Sequence, residues 1–376
     1  MKRVLLAFAL ILFPTTIYAE NIPPQREKLQ FQDFTLELPL GLEADRFYVP
    51  DDNQISADKV ELGRALFFDP RLSADDSVAC AFCHVAEDTF TDNLPTSIGI
   101  EGQKGGRNAP SIINRAFSRE QFWDGRAASL EEQAKGPLTN PVEMGMPSHD
   151  AVVKKISAIK GYREWFKRVF GNEVNIDDLA KAIATFERTV VSGGSKMDRF
   201  TFGDKSALSA SEKRGFELFE GKARCVQCHN GFNFTDEQYH NIGVGWDTGK
   251  VDLGRYTVTK RREHIGAFKT PSLREITTTD PYMHNGSIET LEEVIEFYNR
   301  GGVGNPFLDI EMKRPSASLE EMLDALDRIE GLVKLESDEG AALNLTRRDK
   351  ADLLAFLKTL DGKGWRKIEE PDSFPK

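Results

Sequence analysis
Apolar residues recur at helical spacing between Ala57 and Phe68. Val60, Leu62, Ala65 and Leu66 predict a helix buried on one side. A second such run spans Ser209 to Phe219. Ser209 and Glu212 form a capping box ahead of an apolar face of Phe216, Leu218 and Phe219. Both helices carry a glycine and then a Leu/Phe cluster: Gly63-Arg64-Ala65-Leu66-Phe67-Phe68 and Gly215-Phe216-Glu217-Leu218-Phe219. Further on, Asp178-Leu179-Ala180-Lys181-Ala182-Ile183-Ala184-Thr185-Phe186 matches Asp352-Leu353-Leu354-Ala355-Phe356-Leu357-Lys358-Thr359-Leu360. The order helix, long loop, closing helix therefore occurs twice, which reads as an internal duplication. Strand signals are few, so the fold class expected is mainly α. Glycine loops at Ser192-Gly193-Gly194-Ser195 and Phe202-Gly203-Asp204 predict a hinge between the halves. Residues 315–345 read as an insertion, with a surface helix opened by Ser318 and Glu321 and no chemistry of its own.

The chain opens with Lys2 and Arg3, then an apolar run from Val4 to Phe13, then small residues up to Ala19. That pattern is a secretory leader, and the run is too short to span a membrane. The expected division is a leader at 1–19, a first domain at 20–200 and a second at 201–376. The mature protein is expected in the periplasm.

Between the paired helices stand two pentapeptides, Cys80-Ala81-Phe82-Cys83-His84 and Cys225-Val226-Gln227-Cys228-His229. Each is C-x-x-C-H, the attachment pattern of a c-type haem. Two thiols add across the porphyrin vinyl groups and the adjacent His becomes an axial iron ligand. The chain has four cysteines, and the two motifs use all of them. The alternatives are a zinc site and a pair of disulfides, and the gap between the motifs is far too long for a zinc ribbon. Two covalently bound c-type haems are expected, held by Cys80, Cys83 and His84, and by Cys225, Cys228 and His229. Each half then has the layout of a cytochrome c-like domain, whose long loops pack on the cofactor. The sixth ligand of each iron separates electron transfer from peroxide chemistry. Spacing leaves open His149, His240, His264 and His284, seven Met and seven Tyr.

Further motifs are Gly106-Arg107-Asn108-Ala109-Pro110, Phe122-Trp123-Asp124-Gly125-Arg126-Ala127, Gly136-Pro137-Leu138, Pro141-Val142-Glu143-Met144, Thr270-Pro271-Ser272-Leu273-Arg274 and Pro281-Tyr282-Met283-His284-Asn285-Gly286. Through them the chain resembles the bacterial di-haem cytochrome c peroxidases and the related MauG enzymes, over essentially all of its mature length. The resemblance implies a peroxide-reacting first haem and an electron-relaying second haem. It places Gln133, Pro137 and Glu143 over the first haem and Trp123 between the two. It also implies one calcium ion on Asn108 and the backbone carbonyls of Thr279 and Pro281. Many of these peroxidases carry a His that blocks the first iron at the position held here by Ile100. Where the relay haem usually takes a Met, Tyr298 stands, as in the MauG type, and Tyr298 is expected to ligate the second iron. An anionic phenolate favours oxidised iron more than a thioether does. Arg107 and Arg126 are read as partners of haem propionates, and His284 as structural.

Loss of the leader removes Lys2 and Arg3 and takes the net charge from −11 to −13. Nucleic-acid binding is therefore not expected. The acidity suits a basic redox partner and equally serves solubility. The function expected is reduction of hydrogen peroxide to water with electrons from a small periplasmic cytochrome c or cupredoxin. A second reading is a MauG-like enzyme that uses high-valent di-haem iron to oxidise a residue of a protein substrate. Against MauG's own reaction, the surface Trp it uses is replaced by Ala223, leaving Trp246 and Trp365 as candidates for another partner. The third is a non-enzymatic di-haem electron carrier, which Ile100 argues against. The resemblance also implies a possible homodimer.

Overall fold
The computed structural model describes residues 27–313 and 339–376. The expected leader and most of the 315–345 insertion lie outside the described residues. The longer helices are α1 (Ala57–Phe68), α2 (Leu130–Thr139), α3 (His149–Ser157), α4 (Lys160–Phe170) and α5 (Ile176–Arg188), followed by α6 (Lys196–Thr201), α7 (Ala210–Glu220), α8 (Leu291–Asn299) and α9 (Arg347–Leu357). Strands are short: β1 (Lys28–Gln30) pairs antiparallel with β2 (Thr35–Glu37), and β3 (Tyr239–His240) with β4 (Phe268–Lys269). The fold is mainly α, and among the described residues no helix is long and apolar enough to cross a membrane.

The duplication is visible in two helix crossings. A Cβ on Gly63 of α1 would lie 1.9 Å from the Ala182 carbonyl oxygen and 2.9 Å from Phe186 Cβ on α5. A Cβ on Gly215 of α7 would lie 2.0 Å from the Asp352 oxygen and 2.7 Å from Phe356 Cβ on α9. One turn on, Phe67 meets Phe186 at 5.1 Å and Phe219 meets Phe356 at 5.0 Å, both inclined at 55°. These contacts pair Ala182 with Asp352 and Phe186 with Phe356. The sequence match, which paired Asp178 with Asp352, is thus one helical turn out of register. It aligned two acids with different jobs. Asp178 sits in the first turn of α5, where its backbone N–H is capped by Asn175 at 2.9 Å. Asp352 lies deeper in α9 and holds Arg214 at 2.7 Å.

Gly63→Ala and Gly215→Ala follow as tests. Alanine gains ~1 kcal/mol of helix propensity, while overpacking a core costs ~1–3 kcal/mol. The neighbour at each crossing is backbone and cannot swing away, so the clash wins. Each variant is expected to lower the midpoint of denaturant unfolding of the haem-loaded protein. An unchanged midpoint would contradict these crossings.

One apolar cluster is built on α1 and α5 with Phe67, Phe90, Tyr162 and Phe166. A second is built on α7, α8 and α9 with Phe219 and Phe356. Phe117 and Phe232, 5.1 Å apart, join them in a third cluster under β2. The tail after α9 returns to the first half. Trp365 enters the first cluster, Gly161 N–H donates to the Lys376 oxygen at 2.7 Å, and Arg71 donates to the Pro375 oxygen at 3.0 Å.

Candidate di-haem site
Each pentapeptide is a single helical turn that ends at its histidine. The His84 amide closes on the Cys80 oxygen at 3.1 Å and the His229 amide on the Cys225 oxygen at 2.8 Å. His84 Nδ1 lies 3.1 Å from the Phe90 oxygen, and His229 Nδ1 lies 3.1 Å from the Phe234 oxygen. A carbonyl only accepts, so Nδ1 carries the proton and Nε2 keeps its lone pair for a metal. Burial lowers both histidine pKa values, which keeps the rings neutral and ligand-competent. Phe90 (φ 57°) and Phe234 (φ 51°) are both left-handed, an unfavourable backbone for a bulky residue. The same strained turn thus presents the orienting carbonyl in both halves.

The four thiols fall into two separate cavities. Cys80, Cys83 and His84 border the first, of about 500 Å³. Cys225, Cys228 and His229 border the second, of about 260 Å³. This separation rules out one four-cysteine zinc site. Burial pushes the Cys83 thiol up to about 11 and the Cys225 thiol up to about 12. Two thiols and one neutral imidazole in each cavity are the donor set that a c-type haem requires, and the residues fit it.

The three residues that the resemblance assigned to the first haem come together at one cavity. Gln133, Pro137 and Glu143 all border the first cavity. Ser129 caps α2 by accepting from the Glu132 N–H at 3.2 Å, which sends Gln133 and Pro137 along one helix face. The pKa of Glu143 is raised, because burial outweighs the pull of Arg126 and of Asn140. Asn140 Nδ2 donates to Glu143 Oε1 at 2.8 Å and orients the carboxyl.

Ile100 acts through its backbone. Its N–H donates to the Glu143 oxygen at 2.9 Å. Its side chain joins the first apolar cluster beside Gly145 and does not border the cavity. The loop before it is locked in place, since a Cβ on Gly99 would lie 1.9 Å from the Val142 oxygen.

The second cavity mirrors this layout. Thr290 caps α8 as Ser129 caps α2, and Tyr298 lies as far from its cap as Pro137 does from its own. The equivalent position thus presents a proline ring to one cavity and a phenol to the other. Tyr298 is half-buried at the cavity wall, desolvation there pushes its pKa up, and its hydroxyl has no hydrogen-bond partner among the described residues.

Trp123 borders both cavities. Its Nε1 donates to the Asn108 oxygen at 2.9 Å, and its own oxygen accepts from the Lys269 N–H at 2.8 Å. One half thus pins the ring and the other pins the backbone. Its counterpart in the duplicated turn is His284, stacked 3.6 Å from Phe268 at 11° and lowered by burial to about 4. Asn108, Thr279 and Pro281 border the second cavity together. Asn108 Nδ2 donates to the Leu94 oxygen at 2.9 Å, which leaves its side-chain oxygen as a donor for a cation.

Two expectations need correction. Arg107 donates from Nε and Nη2 to Asp252 and from Nη1 to Asp124, so protein carboxylates take the guanidinium donors expected to meet a propionate. From its guanidinium Arg126 gives Asp124 only Nη1, at 3.0 Å, and it borders the first cavity. Trp365 is only 4% exposed, packs on Phe90 at 6.3 Å and offers no surface to a partner. Ala223 is buried as well, while Trp246 is half-buried against Phe307 at 6.0 Å.

One residue was missed, and one left open as an iron ligand is engaged elsewhere. Arg224 borders the second cavity with Nε and Nη1 buried and without a hydrogen-bond partner among the described residues; its only signal was its place directly before Cys225. His240 is held between Asp236 at 2.9 Å and Asp309 at 2.8 Å, which pushes it up to about 12 and keeps a cation beside Cys228. No spacing rule flags that arrangement.

Comparison with known proteins agrees with this geometry. Residues 57–206 match the family model of the di-haem cytochrome c peroxidases. The chain is 40% identical over 315 residues to the methylamine utilization protein MauG of Methylorubrum extorquens, covering 83% of this chain and 80% of that one. It is 43% identical over 270 residues to the cytochrome c551 peroxidase of Nitrosomonas europaea, covering 71% and 80%. Among solved structures, a MauG-like protein associated with microbial copper homeostasis superposes with a TM-score of 0.72 at 32% identity, covering 95% of this chain and 99% of that one. The di-haem peroxidase BthA of Burkholderia thailandensis shares the fold, with a TM-score of 0.68 at 22% identity over 96% and 99%. The chain belongs to the di-haem cytochrome c peroxidase and MauG family, and it is a peroxidase-type oxidoreductase.

Proposed function
We propose that this protein reduces hydrogen peroxide to water in the periplasm, with electrons from a small cytochrome c or cupredoxin. The observation that carries this reading is the meeting of Glu143, Gln133 and Pro137 with Cys80, Cys83 and His84 in one cavity that shares Trp123 with the other. His84, and His229 with Tyr298, would hold the haems, which would supply redox-active iron. The overall step consumes one peroxide, two electrons and two protons and yields two waters.

Glu143 takes the proton from the near peroxide oxygen and returns it to the leaving oxygen, a task suited to a carboxyl with a raised pKa. The Gln133 amide orients the substrate. Pro137 lines the cavity without an N–H that would compete for it. Trp123 offers an aromatic route for electrons between the cavities. Tyr298 must lose a proton that burial helps it keep, so a phenolate forms there only against the charge of a bound metal. In this reading each half is a cytochrome c-like domain, divided near residue 200, with the tail after α9 exchanged onto the first. A calcium ion on Asn108, Thr279 and Pro281 ties the halves through neutral oxygens.

A second reading, oxidation of a residue in a protein substrate, is favoured by the phenol at Tyr298 and by the MauG relatives. One assay separates the two. The as-purified ferric protein is mixed with peroxide and reduced cytochrome c. A peroxidase consumes the cytochrome in proportion to peroxide, and a protein-oxidising enzyme leaves most of it reduced. Failure to consume peroxide at all would sink both readings.

A further inference from the structure
Glu187 lies on α5, is 4% exposed, and borders the first cavity one turn beyond Ile183. Its Oε2 is buried and has no hydrogen-bond partner among the described residues. The helix crossings pair Ile183 with Leu353 and Glu187 with Leu357, and both leucines border the second cavity. The fold therefore needs only an apolar side chain here, and the first half has a carboxyl instead. A buried carboxyl without a partner is costly, so its retention beside one cavity alone calls for a role.

No neighbouring charge neutralises it directly. Arg188 follows it on α5 but is taken by Glu131 of α2 at 2.7 Å. Arg115 is held by Gln121 at 2.9 Å and by Ser118 at 2.7 Å. Glu131 repels it, and the facing Cys80 is a neutral thiol. Burial pushes Glu187 up to about 8, against the pull of Arg188, with Glu131 raising it further and Arg115 opposing.

We propose that Glu187 is the redox-linked proton site of the first cavity: its carboxylate takes up one proton when the first haem iron gains an electron, and releases it when that electron leaves. Ferric iron, one electron, a carboxylate and a proton become ferrous iron and a carboxylic acid. The added electron sits in a low-dielectric cavity, where it favours the neutral acid over a second negative charge. The proton comes from solvent and the electron from the donor. This inference rests on the first cavity holding a redox-active haem, and it requires no peroxide chemistry.

The test is a spectroelectrochemical titration of the first haem in the haem-loaded protein, from about pH 6 to about pH 9, on either side of the Glu187 value. One-electron, one-proton coupling moves the equilibrium tenfold for each tenfold change in proton activity, or ~59 mV per pH unit. The wild type is expected to approach that slope within this window. Glu187→Gln and Glu187→Leu are expected to flatten it with both haems still attached, and Leu357 is the precedent for the leucine variant. In reduced-minus-oxidised infrared difference spectra, a protonated-carboxyl band is expected in the wild type and lost in both variants. Glu143→Gln is expected to keep the slope. A flat wild-type slope, an unchanged slope in the Glu187 variants, or its loss in Glu143→Gln would each overturn the proposal. Because no peroxide is added, these outcomes stand apart from the cytochrome c assay that tests the enzymatic reading.

Discussion

Glu143→Gln is expected to slow peroxide turnover by at least about 10²-fold, the lower end of the ~10²–10⁴ lost with a general acid–base. The substitution preserves shape. A glutamine oxygen still accepts from Asn140 Nδ2, which now lies 2.8 Å from Glu143 Oε1. The Ile100 N–H still meets the backbone oxygen of residue 143, so the loop that carries the side chain stays in place. Only proton exchange is lost. The pH profile carries the same signature. Burial raises the Glu143 pKa, so in the wild type activity falls with decreasing pH at values above the ordinary Glu range. As a base Glu143 must be ionised, and protonation removes it; in the variant that limb disappears. Steady-state oxidation of reduced cytochrome c across pH, with haem spectra as the control for attachment, measures both effects. Near-unchanged kinetics with intact spectra would reject the role.

Tyr298→Phe is expected to change the ferric spectrum of the second haem and to raise its reduction potential on the order of 100 mV, a fraction of the ~0.8 V that axial ligands span. The phenyl ring fills the same space in a buried cavity, so the helix should hold. Thr290 still caps α8, accepting from the Glu293 N–H at 3.2 Å, and the Phe297 contact at 5.5 Å involves only the ring. What disappears is the one oxygen whose hydroxyl has no other partner among the described residues. A phenolate stabilises oxidised iron, and its removal leaves the potential to the remaining His229. Spectra of the ferric protein and a potentiometric titration decide the matter. If both are unchanged, Tyr298 is a packed aromatic and the second iron takes another ligand.

Much of this site was legible in the chain. The attachment motifs are contiguous, so their chemistry is local and needs no knowledge of the fold. The cap at Ser209 forms in the structure as the spacing predicted. Glu143, Gln133 and Pro137 were reached through family resemblance, because nothing in a single Glu, Gln or Pro marks it as facing a cavity. Resemblance failed where partners compete. Arg107 has the right charge for a propionate, but Asp124 and Asp252 come from other loops and claim it first. Trp365 lies far from the first half along the chain, and only the return of the tail puts it beneath Phe90.

The sequence by itself determined the two thiol pairs Cys80 and Cys83, Cys225 and Cys228, the histidines beside them, the helical class and the existence of two related halves. These depend on residue type and short spacing, which local chemistry reads directly. Tertiary structure decided the register of the crossings, the equivalence of Pro137 with Tyr298, the backbone role of Ile100 and the isolation of Glu187 beside one cavity. Each of these depends on which groups meet across long stretches of chain. Close packing at Gly63 and Gly215, and competition among charges for a limited set of partners, settle that in space.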